Sequence, residues 1–147
     1  MGNQNSNFIK VTADKQTDAV ADSEDAADDP AIWVNRKNTA KSFIIGTNKQ
    51  KGLNVYDIEG NELYAYNFGR INNVDIRYSF PLKSDTVDFA AGTNRTNNSI
   101  IIVKIDRNTG ELIDITGEIP VIQIDEVYGF CLYHDRKKNI FYAFVNG

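Results

Sequence analysis

The chain has 147 residues, of which 41% are apolar and 24% charged, and its formal net charge is -4. That apolar share is enough for a core and excludes a disordered chain, and the acidic balance argues against non-specific nucleic-acid binding, which needs a basic face. No apolar run approaches the length of a membrane span, no charged start followed by an apolar run marks a signal peptide, and the single cysteine, Cys131, cannot form an internal disulfide.

In chain order, residues 1–28 are polar and acidic and read as a loose arm or a closing strand. Met1-Gly2-Asn3-Gln4-Asn5-Ser6 fits the myristoylation pattern, and an ordinary chain start explains it equally well. Asp22, Glu24, Asp25, Asp28 and Asp29 crowd together next. Either a hard divalent cation such as calcium relieves their repulsion, or the stretch is a solvated acidic arm; the spacing of a calcium-hand loop is missing.

From residue 29 to 147 the chain reads as short runs rich in Val, Ile, Phe and Tyr, separated by Gly, Asn and Asp. This chemistry predicts strands at Ala31 to Val34, Phe43 to Gly46, Leu53 to Asp57, Leu63 to Tyr66 and Val74 to Tyr78. Further strands are expected at Val87 to Gly92, Ile100 to Ile105, Leu112 to Ile115, Val127 to Tyr133 and Ile140 to Val145.

These runs repeat. Phe43-Ile44-Ile45-Gly46-Thr47-Asn48-Lys49 recurs 46 residues on as Phe89-Ala90-Ala91-Gly92-Thr93-Asn94-Arg95. Upstream, Asp29-Pro30-Ala31-Ile32-Trp33 parallels Asn73-Val74-Asp75-Ile76-Arg77, and a third copy begins at Glu126-Val127-Tyr128-Gly129-Phe130. Such a period, built of strands and turns, is that of one four-stranded propeller blade. Even four blades need roughly 184 residues, so the chain is expected to supply about two and a half blades of an all-β propeller, as the amino-terminal portion of a longer protein. By register, the residue after Gly147 would align with Lys49 and Arg95.

A propeller brings equivalent residues of successive blades round one axis, so Lys49 and Arg95 are expected at one mouth of the channel. Two cations there suit an anionic ligand, with arginine gripping two phosphate oxygens and lysine acting as a movable charge. Alternatively, both cap strand ends and pair with nearby carboxylates.

The segments Asp25-Ala26-Ala27-Asp28-Asp29-Pro30-Ala31-Ile32-Trp33, Thr47-Asn48-Lys49, Phe68 to Tyr78 and Asp125-Glu126-Val127-Tyr128-Gly129-Phe130, in this order, closely resemble the β-propeller phytases. The resemblance covers about Val11 to Gly147. It implies a six-bladed, secreted, monomeric bacterial enzyme that uses calcium ions to hydrolyse inositol hexakisphosphate (phytate), free or as its calcium complex. It also implies that Lys49, Arg95 and Tyr128 line the phosphate site, that Asp28 and Asp29 bind metal, and that the backbone oxygens of Pro30 and Val74 are calcium ligands. Gln50 departs from the family pattern, which has a second lysine there, and Lys51 is a candidate to offset it. Carboxylates for the catalytic calcium ions are expected beyond Gly147, so the isolated chain is expected to be inactive.

Other residues read as structural. His134 lacks the further ligands of a metal site, Cys131 reads as a small buried hydrophobe, Trp33 as core and Asp106-Arg107-Asn108-Thr109-Gly110 as a hairpin turn. A non-catalytic, calcium-stabilised propeller platform is the alternative of a different class. A calcium-dependent lactonase is a third, with no need for two cations at one rim.

Overall fold

The computed structural model describes residues 9–119 and 124–147; the Met1-Gly2 pattern lies outside them. β1 (Ala27–Trp33), β2 (Phe43–Asn48), β3 (Gly52–Asp57) and β4 (Glu62–Asn67) form one antiparallel four-stranded sheet in chain order. β5 (Ile71–Leu82), β6 (Asp85–Asn94), β7 (Ser99–Ile105) and β8 (Leu112–Asp114) form a second, and β9 (Phe130–Asp135) with β10 (Ile140–Val145) forms a hairpin. Helix is confined to two 3-10 turns, Thr39–Lys41 and Thr116–Glu118, among the described residues. This is the all-β propeller architecture expected from the repeat: two blades and half of a third.

Most strands fall where β-branched and aromatic runs place them, but the first strand of each blade differs from its expected limits. β1 starts at Ala27 rather than Ala31, because a bulge between Ala27 and Pro30 lets pairing continue to Asn48. β5 starts at Ile71 through the same bulge, between Ile71 and Val74, and a second bulge between Arg77 and Phe80 carries it to Leu82. β9 begins at Phe130 rather than Val127. Register therefore repeats between blades: Pro30 opposes Gly46 as Val74 opposes Gly92.

The first strands of the three units lie side by side. The Val74 N–H donates to Asp29 Oδ2 at 3.0 Å, and the Leu132 N–H donates to Asp75 Oδ2 at 2.8 Å. The Arg77 guanidinium donates to the Leu132 carbonyl. One core of Trp33, Phe43, Ile45, Leu53, Val55, Ile71, Val74, Val103 and Ile105 with their neighbours runs through both blades. Each such aliphatic side chain contributes about 1.5–3 kcal/mol when fully buried. Trp33 is core as expected: it is stacked on Phe43 at 5.4 Å, and its indole N–H crosses to Asp88 Oδ2 at 2.9 Å. A smaller cluster of Phe89, Ala91 and Leu132, with Phe80 and Phe141 packed on it, joins the second blade to the hairpin.

Residues 9–26 form no strand. They are nevertheless fastened to the β3–β4 turn, where the Asp18 N–H donates to the Gly60 carbonyl at 2.7 Å and Asp18 Oδ2 accepts from the Glu62 N–H at 2.9 Å. Cys131 corrects the reading above: it is exposed. It shares with Tyr133, Tyr142 and Phe144 a hairpin face that no described residue covers, whereas the alternate face, with Leu132, is the one that packs. No described helix is long and apolar enough to cross a membrane.

Candidate functional site

The repeated Thr-Asn-cation step is a turn with a mechanism. Asn48 Oδ1 accepts from the Gln50 N–H at 3.0 Å, and Asn94 Oδ1 accepts from the Thr96 N–H at 3.0 Å. Each is a turn closed by an amide side chain on the backbone two residues ahead, and the residue it carries at its crest is the cation. The cation's own N–H is tied equivalently in both blades, Lys49 to the Ala26 carbonyl and Arg95 to the Arg70 carbonyl, each at 2.8 Å. Asn48, Asn94, Thr47 and Thr93 are all buried, so these turns are built into the sheets.

Lys49 and Arg95 therefore sit at the same end of neighbouring blades, beside the bulged starts of β1 and β5, and their local surroundings differ. Lys49 Nζ lies 2.9 Å from Asp25 Oδ2 and 3.4 Å from Asp28 Oδ1. The hydrogen bond to Asp25 leads the causes that raise its pKa, with Asp28 adding to it, so Lys49 stays charged throughout the neutral range. Arg95 lies over the Tyr128 ring at 5.1 Å from its centre, and its side chain makes no hydrogen bond to a described residue. Tyr128 is held from behind, its carbonyl accepting the Thr93 hydroxyl at 2.7 Å. The structure thus joins Arg95 with Tyr128, and Lys49 with Asp28, and the Asp29 to Val74 bond links the two groups.

The expected metal residues share this end. Asp28 and Asp29 lie within β1, and Pro30 and Val74 occupy equivalent registers. Among the described residues no three carboxylates, histidines or cysteines converge. Asp22 is instead taken by Lys51 at 2.6 Å and Asn48 at 2.8 Å, and Asp29 Oδ2 by the Val74 N–H. One further oxygen belongs here that sequence reasoning passed over. Asn72 stands in β5 where Asp28 stands in β1, is 3% exposed, and its Oδ1 is a buried side-chain oxygen without a hydrogen-bond partner among the described residues. A buried acceptor left bare costs about 1–3 kcal/mol. Carboxylate, amide and backbone oxygens, with no nitrogen or sulfur, form a donor set that fits a hard cation such as calcium. Aligning Asn72 under Asp28 in the repeat is the signal that would have found it.

The third unit keeps the same register. The Gly129 N–H donates to Asn146 Oδ1 at 2.7 Å just as the Asp29 N–H donates to Thr47 Oγ1 at 2.8 Å. Tyr128 therefore takes the position of Asp28 and Asn72. His134 is stacked on Phe141 at 3.9 Å with its Nε2 3.1 Å from Asn139 Oδ1, a packed ring.

Fold and site together define an all-β propeller that presents cations and oxygen donors at one end of its inner strands. The family model described as Phytase matches residues 2–147, and the chain belongs to that family. It is 51% identical over 143 residues to a 3-phytase of Bacillus subtilis (strain 168), a match covering 95% of this chain. The chain spans 37% of the length of that relative.

Proposed function

We propose that this chain serves a calcium-dependent phytase, secreted and monomeric, which hydrolyses phosphomonoesters of inositol hexakisphosphate with a metal-activated water. The observation that carries the reading is the pair of amide-closed turns that set Lys49 and Arg95 beside Asp28, Asp29 and the bare oxygen of Asn72. Family membership and the 3-phytase relative support it.

Asp28, Asp29, Asn72 and the Pro30 and Val74 carbonyls would hold calcium. A cation held there would supply positive charge toward phosphoryl oxygens and would lower the pKa of water. The residues of the chain do the rest. Lys49, held in place by Asp25 and Asp28, supplies a fixed positive charge at the rim toward an incoming phosphate. Arg95, seated over the Tyr128 ring, offers its N–H groups to phosphoryl oxygens as charge develops on them. Tyr128 orients that guanidinium and adds a hydroxyl that can donate to a phosphate oxygen.

The test is release of orthophosphate from inositol hexakisphosphate by the chain carried to its relative's full length. Release in calcium buffer that stops on chelation is the expected result. The pairing of Lys49 with Asp25 and Asp28 favours a second reading, a calcium-stabilised binding platform, which predicts retained ligand binding without release.

A further inference from the structure

The opposite end of the inner strands carries a second set of cations on the same kind of turn. Asn35 Oδ1 accepts from the Lys37 N–H at 3.1 Å and so crests Arg36. Asp106 Oδ1 accepts from the Asn108 N–H at 2.8 Å and crests Arg107, and Asp135 Oδ1 accepts from the Lys137 N–H at 3.0 Å and crests Arg136. Three loops from three units thus repeat, at this end, the device that presents Lys49 and Arg95 at the other. All three arginines, with Lys37, line one cavity of about 880 Å³.

Their charge is not balanced locally. Arg107 is paired with Asp88 at 2.8 Å, and Arg77, also lining the cavity, with Asp75 at 2.6 Å. Arg36, Lys37 and Arg136 have no carboxylate partner among the described residues, and Asp88 is the only carboxylate lining the cavity. Arg36 is preset: its guanidinium lies 5.4 Å from the centre of the Tyr78 ring, and Tyr78 is itself fixed by accepting the Val34 N–H at 2.8 Å. Three exposed cations without carboxylate partners round one concavity, in a chain of net charge -4, create a local positive field that attracts an anion.

We propose that this cavity is a second anion site, for a compact molecule carrying two or more phosphoryl groups, gripped by Arg36, Lys37 and Arg136 without a metal. Arginine forks presented by separate blades suit a ligand with several phosphoryl groups, each engaging its own turn.

The single tryptophan, Trp33, lines the cavity and reports on it through its bond to Asp88. Tripolyphosphate titrated in chelator-containing buffer is expected to change Trp33 fluorescence saturably, and equilibrium dialysis to give the same affinity. Arg36→Ala and Arg136→Ala should each weaken binding about tenfold, while Lys15→Ala, at a cation paired with Glu59 outside the cavity lining, leaves it unchanged. Orthophosphate should bind far more weakly, and inositol hexakisphosphate should compete. No binding by dialysis, unaltered affinity in both the Arg36 and Arg136 variants, an equal loss in the Lys15 variant, or orthophosphate binding as tightly as tripolyphosphate would each overturn the proposal.

Discussion

Arg95 and Lys49 hold equivalent positions, yet only Arg95 keeps its side chain free of carboxylates among the described residues. A charge-assisted hydrogen bond to a phosphoryl oxygen is worth about 1.5–3 kcal/mol. In the chain carried to its relative's full length, Arg95→Ala should accordingly raise KM or lower kcat for inositol hexakisphosphate by about tenfold or more in steady-state assays; unchanged kinetics would return Arg95 to a structural role. Asp88 gives a second test at this scale. Burial alone would raise its pKa, but hydrogen bonds from Arg107, the Ser79 N–H and the Trp33 indole outweigh it and hold the carboxyl below its usual range. A depressed folded pKa contributes stability that is present above the unfolded value of about 3.9 and disappears as pH falls through the folded one. Thermal melts from pH 7 to pH 3 should show the native chain losing its advantage over Asp88→Asn below about pH 4, and a constant gap would contradict this.

At the level of the strands, the bulges at Ala27/Pro30 and Ile71/Val74 carry the arrangement, since they place Asp28 and Asn72 at the same end as the cations. The Ile71/Val74 bulge leaves room for no side chain opposite it. A Cβ on Gly92 would lie 2.2 Å from the Asn73 carbonyl oxygen. Gly92→Ala should lower the melting temperature and displace the Asn72-Asn73 step. Gly46→Ala meets only the Tyr56 ring at 3.5 Å and should be milder. The repeat, the strand chemistry and the positions of Lys49 and Arg95 were legible in the sequence because hydrophobic alternation and turn residues are local signals. The bulges were not, because they depend on how two strands oppose each other. Nor was the engagement of Lys49 by Asp25 and Asp28, a choice among several nearby carboxylates made only by the folded turn. Cys131 was misread for a related reason: alternation shows that β9 has two faces but not which of them is covered.

Across the whole molecule, bonds such as Asp29 to Val74, Trp33 to Asp88 and the Leu112 N–H to the Tyr66 hydroxyl join one blade to the next, so a cation held at their shared end would stabilise both. If Asp28, Asp29 and Asn72 hold calcium, saturating calcium at about a hundred times its dissociation constant should stabilise the chain by about 2.7 kcal/mol. Calorimetric melts with calcium and with chelator would show this as a higher melting temperature, absent in Asp28→Asn. Convergence of Lys49 and Arg95 on one ligand is tested most directly by a double-mutant cycle on kcat/KM for inositol hexakisphosphate in the chain carried to its relative's full length, with Lys49→Ala, Arg95→Ala and both together. Side chains gripping one polyanion should be coupled by more than about 0.5 kcal/mol, whereas strictly additive losses would place them on separate surfaces.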